Sequence, residues 1–401
     1  MSEKPRLLLL TPWPGEWRRT EPNPVTRYAM RYLKERFEMH LVFPARNPRA
    51  FAPVEDGCFL HPVPGLPATE RPGPWPHLWR FPSYAWRLYR AGRRLLQQKR
   101  FRLILGYSGF VALPVGALGR VSGVPAVLKL FGVVRFLEFR PTPRSILANL
   151  EHLLAYRVPV QRLLVVNDGT GGRTLARKYG ILHRFVEIPQ PRPENWHRVP
   201  NARQRLGLPE DLPILLLVSR LDHFKGLHLL PAVLERLREV PLLLLVVGTG
   251  PLERRLRREL GDRGLLSRVR FLGYVPHEEL APVYSAADLY LGLADLSTCT
   301  RPVVEALSLG VPVVAWDLLE SRPCLGNSPG VVWVPPGQVD RFAEEVAALL
   351  KDPERRQHLG RRAEAHARKH FPTEREVALR EVRILEEVAG LVPGPAAARP
   401  G

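Results

Sequence analysis

Short apolar runs alternate with amphipathic stretches along this 401-residue chain, and the alternation restricts the folds open to it. The runs include PRLLLL, RLILGY and AVLKLF early in the chain, and ILLLV, LLLLVV and VPVVA later. Continuous apolar runs separated by helical patterns are typical of parallel strands that are covered on both faces. Their repetition predicts doubly wound, Rossmann-like α/β domains.

The main candidate for a domain boundary is residues 188–207, where proline and polar residues dominate and the alternation is interrupted. This break predicts a first Rossmann-like domain over 1–195 and a second over 203–370. The HFPTERE segment then begins a last amphipathic helix, 371–390, which we expect to return to the first domain. The tail, 391–401, is rich in Pro, Gly and Ala, and we expect it to be disordered.

Composition narrows the class of protein. No apolar run reaches the roughly 18 residues that a membrane-spanning helix needs, and the N-terminal run is too short for a signal peptide. The three cysteines, Cys58, Cys299 and Cys324, form neither a metal-type pair nor a disulfide framework. These observations favour a reducing cytoplasm.

The formal net charge is +20, and a surface this basic attracts phosphates or anionic lipid. Residues 78–102 contain eight basic side chains and no acidic one. Two interpretations stay open: a core-packing helix with a solvated basic face, or a helix that contacts an anionic membrane or a lipid-linked acceptor. Nucleic acid is not an expected partner, because no aromatic-basic binding motif accompanies the charge.

Two cations and a glycine turn follow predicted strands in the second domain. Arg220 ends the run ILLLVSR, Lys225 lies five residues later, and Gly248 follows LLLLVV. Ligands of open α/β sheets lie beyond the carboxyl ends of the strands, where an Arg and a Lys together can hold a diphosphate. Glycine at such a turn permits close approach of the backbone.

Glu305 lies in the first turns of a helix that Pro302 is expected to begin. The peptide N–H groups of Cys299, Thr300 and Arg301 precede or cap that helix, and we expect them to offer free donors to an anion. The Arg301 guanidinium adds a cation. A carboxylate one turn into such a helix can accept hydrogen bonds from two ribose hydroxyls.

Together, the segments SRLDHFKGLHLL, VVGTGPLERRLRREL, RVRFLGYVPHEEL and RPVVEALSLGVPVVAWD resemble the retaining glycosyltransferases of family 4. The resemblance implies the GT-B fold, in which two Rossmann-like domains face each other across a cleft. It further implies that Arg220 and Lys225 are the catalytic cations that bind the donor diphosphate. By the same resemblance Glu305 binds the ribose, and Tyr274 and Val275 lie near the base.

The chain departs from the family pattern in the loop before this helix. The first motif glutamate, which contacts the donor sugar in the family, is Ser297 here. Thr298, Cys299 and Thr300 replace the usual glycine-rich run. The resemblance still predicts that this loop contacts the donor, and Asp295 is a candidate substitute for the missing carboxylate.

Departures also occur in the first domain. A histidine usual near the sugar is Phe131, and the usual pair of glycines is reduced to Gly15, which remains a predicted donor contact. Lys129 lies in a strand run, and we expect it to point into the cleft toward the donor. Asp168 precedes a helix, where a cap or an Asx-turn is the expected role.

The predicted function is transfer of a sugar from a UDP- or GDP-type donor to an acceptor hydroxyl with anomeric retention. The resemblance implies that the leaving phosphate takes the acceptor's proton. The sequence has no DxD motif, so neither a metal nor another cofactor is expected. The predicted acceptor is a saccharide or a lipid-linked molecule, and peripheral membrane contact stays open. The alternatives are a non-catalytic GT-B nucleotide- or anion-binding protein and a GT-B-fold nucleotide-sugar epimerase.

Overall fold

The computed structural model describes residues 4–12, 24–55, 57–65, 75–132, 150–318 and 320–393. They form two compact units. The first unit comprises the described residues of 1–167, 171–188 and 375–401, and the second comprises 168–170 and those of 189–374. The chain therefore passes from the first unit to the second after Ile188 and returns after Glu374.

The first unit is built on an 8-stranded sheet in the order β3-β4-β2-β1-β5-β6-β7-β8. Its elements are β1 (Arg6–Leu10), α1 (Pro24–Arg36), β2 (Glu38–Ala45), β3 (Val54–Glu55), β4 (Cys58–Pro64), α2 (Trp75–Gln98), β5 (Leu103–Tyr107), α3 (Ala112–Ser122), β6 (Ala126–Leu130), α4 (Leu150–Ala155), β7 (Arg162–Val166), α5 (Gly172–Lys178) and β8 (Phe185–Ile188). Every strand pair is parallel except that between β3 and β4 at the edge.

The second unit is built on a 6-stranded parallel sheet in the order β11-β10-β9-β12-β13-β14. Its elements, with the last helix of the chain, are α6 (Ala202–Arg205), β9 (Ile214–Val218), α7 (Leu230–Arg236), β10 (Leu243–Val247), α8 (Glu253–Asp262), β11 (Val269–Gly273), α9 (Leu280–Ala286), β12 (Leu289–Gly292), α10 (Arg301–Ser308), β13 (Val313–Trp316), α11 (Ser321–Cys324), β14 (Val331–Val334), α12 (Val339–Lys351), α13 (Pro353–His370) and α14 (Glu374–Val388).

The continuous apolar runs are explained by burial of both faces of each sheet. In β9, Ile214 and Leu216 belong to one hydrophobic cluster, while Leu215 and Leu217 belong to another on the opposite face. Because successive strand side chains point to opposite faces, a strand covered on both sides needs an apolar residue at every position. The prediction of two Rossmann-like α/β domains is confirmed.

Helix α14 packs against the sheet of the first unit. Val377, Val382 and Leu385 share a hydrophobic cluster with Leu7 of β1 and Leu41 of β2. The predicted return of the last helix to the first domain is thus confirmed. Residues 394–401, most of the tail predicted to be disordered, lie outside the described residues.

Helix α2 has the amphipathic character that its sequence predicts. Ala85, Leu88 and Leu95 are buried, whereas Arg90 and Arg94 are exposed. The basic side chains therefore lie on the outer face of a helix that packs on the core. Among the described residues, every helix is too short or too polar to traverse a lipid bilayer.

Candidate functional site

The sheet of the second unit reverses its strand order between β9 and β12. From β9 the chain adds β10 and β11 on one side, and it then adds β12, β13 and β14 on the other. Ligands of open α/β sheets bind at the carboxyl ends of the strands beside such a switch point. Arg220 and Lys225 follow β9, and the 293–300 loop follows β12. Parallel pairing of β9 with β12 therefore brings these two predicted groups to the same edge of the sheet.

Arg220 presents its guanidinium to solvent from a fixed position. Its Nε and Nη2 donate to Asp222 Oδ2 over 2.6 Å and 2.5 Å, yet 73% of the side chain stays exposed. Asp222 holds the guanidinium in place while the exposed side remains open to an anion. Lys225, five residues on, is partly buried, and its charge acts on the carboxyl group of Asp168.

Gly248 has a structural reason to be glycine. Its φ is +117°, and a Cβ there would lie 2.0 Å from the carbonyl oxygen of Ser219 at the end of β9. Gly250 is confined in the same way, 2.3 Å from the carbonyl oxygen of Leu221. The turn after β10 thus packs directly on the backbone that carries Arg220. Contact of Gly248 with a donor stays a prediction.

Ser297 connects the 293–300 loop to the turn at Asp168. Its Oγ donates to the backbone carbonyl of Asp168 and accepts the N–H of Cys299 over 3.0 Å. Gly169 explains how the two segments approach: its φ is +76°, and a Cβ there would lie 2.7 Å from Ser297 Oγ. Position 297 is buried and serves as a junction between the two segments.

The remainder of the loop is hydrogen-bonded within the unit. The N–H of Thr298 donates to Ser321 Oγ over 3.1 Å, and its hydroxyl donates to the carbonyl of Trp316 over 2.7 Å. The N–H of Thr300 donates to the carbonyl of Thr298 over 2.7 Å. The expectation of free donors is therefore wrong for the amides of Cys299 and Thr300, which are satisfied within the loop.

Cys299 and Cys324 form a disulfide, with their Cα atoms 6.1 Å apart. The expectation that the cysteines form no such bond is wrong, because β12 and β13 bring the 293–300 loop and α11 together although 25 residues separate the two positions. The bond ties the start of α10 to α11. The argument from cysteine usage for a reducing cytoplasm loses its support, since disulfides persist mainly in oxidising compartments.

Removing this disulfide is expected to destabilise the protein by about 3 kcal/mol. A cross-link between positions 25 residues apart lowers the conformational entropy of the unfolded chain, and the loss corresponds to about that free energy. Equilibrium urea unfolding with and without reductant measures the loss. The Cys324→Ser variant should match the reduced wild type and should not respond to reductant. Equal midpoints for oxidised and reduced wild type would contradict the prediction.

Glu305 is buried, with 2% of its side chain exposed. Its Oε1 accepts from His277 Nε2 and Arg301 Nε, each over 2.9 Å, and its Oε2 accepts from the Tyr284 hydroxyl over 2.8 Å. Burial by itself would raise the pKa of Glu305, but the His277 hydrogen bond and the Arg301 charge outweigh it and hold the pKa below its usual value. Glu305 is therefore a core residue, which its place in the first turns of a helix does not reveal.

Arg301 is shared between two carboxylates. It reaches Glu305 with Nε and Glu374 with Nη2, and both acidic side chains are buried. Pro302 occupies the first turn of α10 as predicted, with Thr300 at the N-cap. The Arg301 charge is therefore engaged inside the unit, so a diphosphate would have to compete with these carboxylates for it.

Tyr274 and Val275 follow β11, the strand next to β10. The Tyr274 side chain is 54% exposed, whereas Val275 packs against the hydrophobic cluster that contains Tyr284. Tyr274 thus lies at the surface, next to the core contact that Val275 makes. His277 follows Val275 by two positions and hydrogen-bonds to Glu305. Its place in the site was not predicted from the sequence.

Lys129 lies inside the first unit and carries a buried ion pair. It is 1% exposed, and its Nζ lies 2.6 Å from Glu381 Oε2 of α14 and 5.2 Å from the centre of the Phe131 ring. The prediction that Lys129 points toward the donor is wrong, because α14 encloses its ammonium group. Gly15 lies outside the described residues.

Asp168 is a residue whose importance the sequence did not indicate. Its Oδ1 accepts the N–H and the hydroxyl of Thr170 over 3.1 Å and 2.5 Å, which is the predicted Asx-type turn. The residue as a whole is partly exposed. Burial raises its pKa to about 6, although the Thr170 hydrogen bonds and the Lys225 charge act in the opposite direction.

This pKa implies that stability falls as pH rises. Below pH 3.8 both states hold the proton; between 3.8 and about 6 only the folded state keeps it, so the unfolded state is increasingly favoured. Asp168→Asn should therefore stabilise the protein by about 1–3 kcal/mol at pH 8 and by little at pH 3.5. Urea midpoints at both pH values check this, and a gain of the same size at both would contradict it.

Residues 199–366 match the protein-family profile described as Glycosyl transferases group 1. The 2-deoxystreptamine glucosyltransferase of Streptomyces kanamyceticus is 31% identical over 45% of this chain and 49% of the relative. A D-inositol 3-phosphate glycosyltransferase of Catenulispora acidiphila is 33% identical over 63% of this chain and 65% of the relative. The chain thus spans about half to two thirds of the length of these curated relatives.

Solved structures share this fold at low identity. Sucrose-phosphate synthase from Thermosynechococcus elongatus has a TM-score of 0.77 at 17% identity, covering 96% of this chain and 100% of that one. Anabaena HepE in complex with UDP has a TM-score of 0.69 at 17% identity, covering 95% and 100%. This likeness establishes the common fold.

Proposed function

We propose that this chain, of which residues 199–366 match the glycosyl transferases group 1, transfers a sugar from a nucleoside diphosphate donor to an acceptor hydroxyl. The observation that carries the proposal is the convergence at the β9–β12 switch point, where Arg220 and Lys225 follow one strand and the 293–300 loop follows the other. A diphosphate placed there lies beside two cations, one of which is exposed and held in position by Asp222.

The proposed reaction proceeds with retention. The bond between the anomeric carbon and the diphosphate oxygen breaks, and the acceptor oxygen forms its bond on the same face. The acceptor proton passes to the leaving phosphate. Arg220 and Lys225 stabilise the charge that grows on the diphosphate, a role that is largest in the transition state. Because these side chains supply the positive charge, we propose that transfer needs no metal.

The acceptor proposed is a ring-shaped polyhydroxylated molecule. Two relatives are named for 2-deoxystreptamine and D-inositol 3-phosphate, both of which are cyclic polyols or their amino derivatives. A saccharide acceptor offers the same equatorial hydroxyl chemistry. For the donor we propose a UDP or GDP sugar.

The outer face of α2 is a candidate surface for a lipid-linked acceptor. Arg90, Arg93 and Arg94 are exposed there, and Trp86 is 57% exposed and stacks on Tyr89. Clustered arginines beside an exposed indole suit an anionic lipid surface. Peripheral contact predicts that the protein co-sediments with phosphatidylglycerol vesicles but not with phosphatidylcholine vesicles. Triple Arg→Gln substitution should abolish this binding. Equal binding to both kinds of vesicle would count against peripheral contact.

The test of the main proposal combines binding with turnover. A thermal-shift screen of UDP, GDP, ADP and their sugars identifies the donor, since a ligand at 100 times its Kd adds roughly 2.7 kcal/mol. Product analysis by NMR with saccharide, 2-deoxystreptamine and inositol phosphate acceptors then reports anomeric configuration. An inverted product would refute retention, and loss of transfer on adding a chelator would refute metal independence.

A non-catalytic nucleotide-binding protein is the second candidate, and the 293–300 loop favours it. Position 297 carries no carboxylate, the amides of Cys299 and Thr300 are already bonded, and Glu305 has three partners. Stabilisation by nucleotides without turnover across the donor and acceptor panel would support this candidate. Release of a free sugar in the absence of acceptor would instead indicate the epimerase alternative.

A further inference from the structure

We propose that the Asp168 carboxylate recognises hydroxyl groups of the donor sugar, and so supplies the acidic group that Ser297 lacks. This inference rests on the proposed function. It assigns to Asp168 a part in sugar selection, with the Thr170 side chain and Gly169 holding the carboxylate in position.

The first step of the argument is contact. The Asp168–Thr170 turn belongs to the second unit, although its neighbours in sequence on both sides belong to the first. The turn is joined to the 293–300 loop by the hydrogen bond from Ser297 Oγ to the Asp168 carbonyl. A Cβ at Gly169 would lie 2.7 Å from Ser297 Oγ and 3.1 Å from Cys299 Cβ, so no side chain separates the two segments.

The second step is orientation. Both hydrogen bonds that Asp168 receives from Thr170 end on Oδ1, which fixes the carboxyl group relative to the turn. The residue remains partly exposed. A carboxylate fixed in this way, on a residue that is partly exposed, is prepared to accept hydrogen bonds from a ligand at little cost in conformational entropy.

The third step is charge. Lys225, a proposed diphosphate cation, is near enough to Asp168 for its charge to lower the pKa of that carboxyl, so a diphosphate bound by Lys225 would lie near Asp168. The diphosphate itself is repelled by a carboxylate. The sugar bonded to its distal phosphate is uncharged and rich in O–H donors, and a carboxylate accepts from such donors. Between the diphosphate and the sugar bonded to it, the sugar is thus the part that Asp168 complements.

The raised pKa agrees with this assignment. Desolvation makes the charged form of this carboxyl group less stable. Carboxyl groups with a pKa raised in this way are typical of functional positions when they lie beside a candidate ligand site. Binding of a sugar through the carboxylate should strengthen as pH rises through about 6, where Asp168 loses its proton.

Isothermal titration of UDP, UDP-glucose, GDP and GDP-mannose onto the full chain tests the proposal. For whichever sugar nucleotide the wild type binds, Asp168→Asn should raise the Kd about tenfold and leave the Kd of the matching free diphosphate within twofold. The pH dependence of sugar-nucleotide binding near pH 6 should also disappear. Asp262→Asn, an exposed change of the same charge on α8, is the matched control and should behave as wild type.

The outcomes separate the two proposals. Suppose that the wild type binds and transfers a sugar. The role of Asp168 is then refuted, and the proposed function stands, if Asp168→Asn binds sugar nucleotides and free diphosphates as the wild type does. The same conclusion follows if the variant loses affinity for both equally. If the wild type binds none of the nucleotides, both fail. Thr170→Val, which removes one bond to the carboxylate, should show a smaller effect in the same direction and guards against a folding defect in the first variant.

Discussion

Arg220→Ala is expected to lower kcat/KM for sugar transfer about 10²- to 10³-fold while leaving the fold intact. The guanidinium would stabilise charge that grows on the leaving diphosphate, and loss of one such donor typically costs that much. The stability should change little, because 73% of the Arg220 side chain is exposed and solvent screens its pair with the buried Asp222. Steady-state kinetics and a urea midpoint measure the two effects.

Two controls sharpen this prediction. Arg220→Lys should recover only part of the activity, since the planar fork that bonds both Asp222 and a phosphate is lost. Arg255→Ala removes another exposed arginine, on α8, whose partner is Glu259 of the same helix, and should leave kcat/KM unchanged. If both alanine variants lose activity equally, the effect is one of overall charge, and the assigned role of Arg220 is wrong.

Glu305→Ala is expected to destabilise the protein by about 3–5 kcal/mol. The substitution leaves the Arg301 guanidinium, the Tyr284 hydroxyl and the His277 ring without the buried carboxylate that they share as acceptor. Removing one partner of a buried ion pair typically costs this much free energy of unfolding. Chemical unfolding at pH 7 measures the loss. A midpoint equal to that of the wild type would show that Glu305 is not held as the structure has it.

The pKa of Glu305 sets the pH dependence of this loss. Because the folded-state pKa is lowered, the stabilisation is present above the ordinary value of 4.5 and is lost as pH falls through the folded value. The difference between wild type and Glu305→Ala should therefore shrink in acid. Glu364→Ala, which removes one member of a helix-surface pair with Arg368, is the matched control and should cost less than about 1 kcal/mol.

These expectations change how nucleotide binding by a Glu305 variant is to be interpreted. If Glu305→Ala loses both stability and nucleotide affinity, the loss of affinity follows from the collapse of the network and does not identify a ribose contact. Glu305→Gln keeps an acceptor for Tyr284 and should be less destabilised. A nucleoside Kd that rises in this variant at unchanged fold would support direct contact with ribose.

The sequence alone determined the sheet architecture and the edge where a ligand is expected. Apolar side chains at every position of ILLLV and LLLLVV require burial on both faces, and that requirement is met by parallel strands between helices. Residues that directly follow such strands lie at the carboxyl edge whatever the details of packing. Arg220 and Lys225 could therefore be placed from local pattern and from the family resemblance.

Only the tertiary structure decided which polar groups meet. Lys129 pairs with Glu381, 252 positions away, and nothing local marks either as the other's partner. Glu305 is enclosed by His277 and Tyr284, from segments that only the packing of α9 and β11 beside α10 brings near.

The Cys299–Cys324 bond and the contact of Ser297 with Asp168 arise in the same way. Strand and helix periodicity reports whether a side chain faces the core, because burial recurs at fixed spacing along one element. The identity of a buried polar group's partner depends on where a distant segment crosses it, and no spacing in the sequence records that crossing. Tertiary packing therefore decided that Glu305 is a core residue and that the backbone of Asp168 meets Ser297.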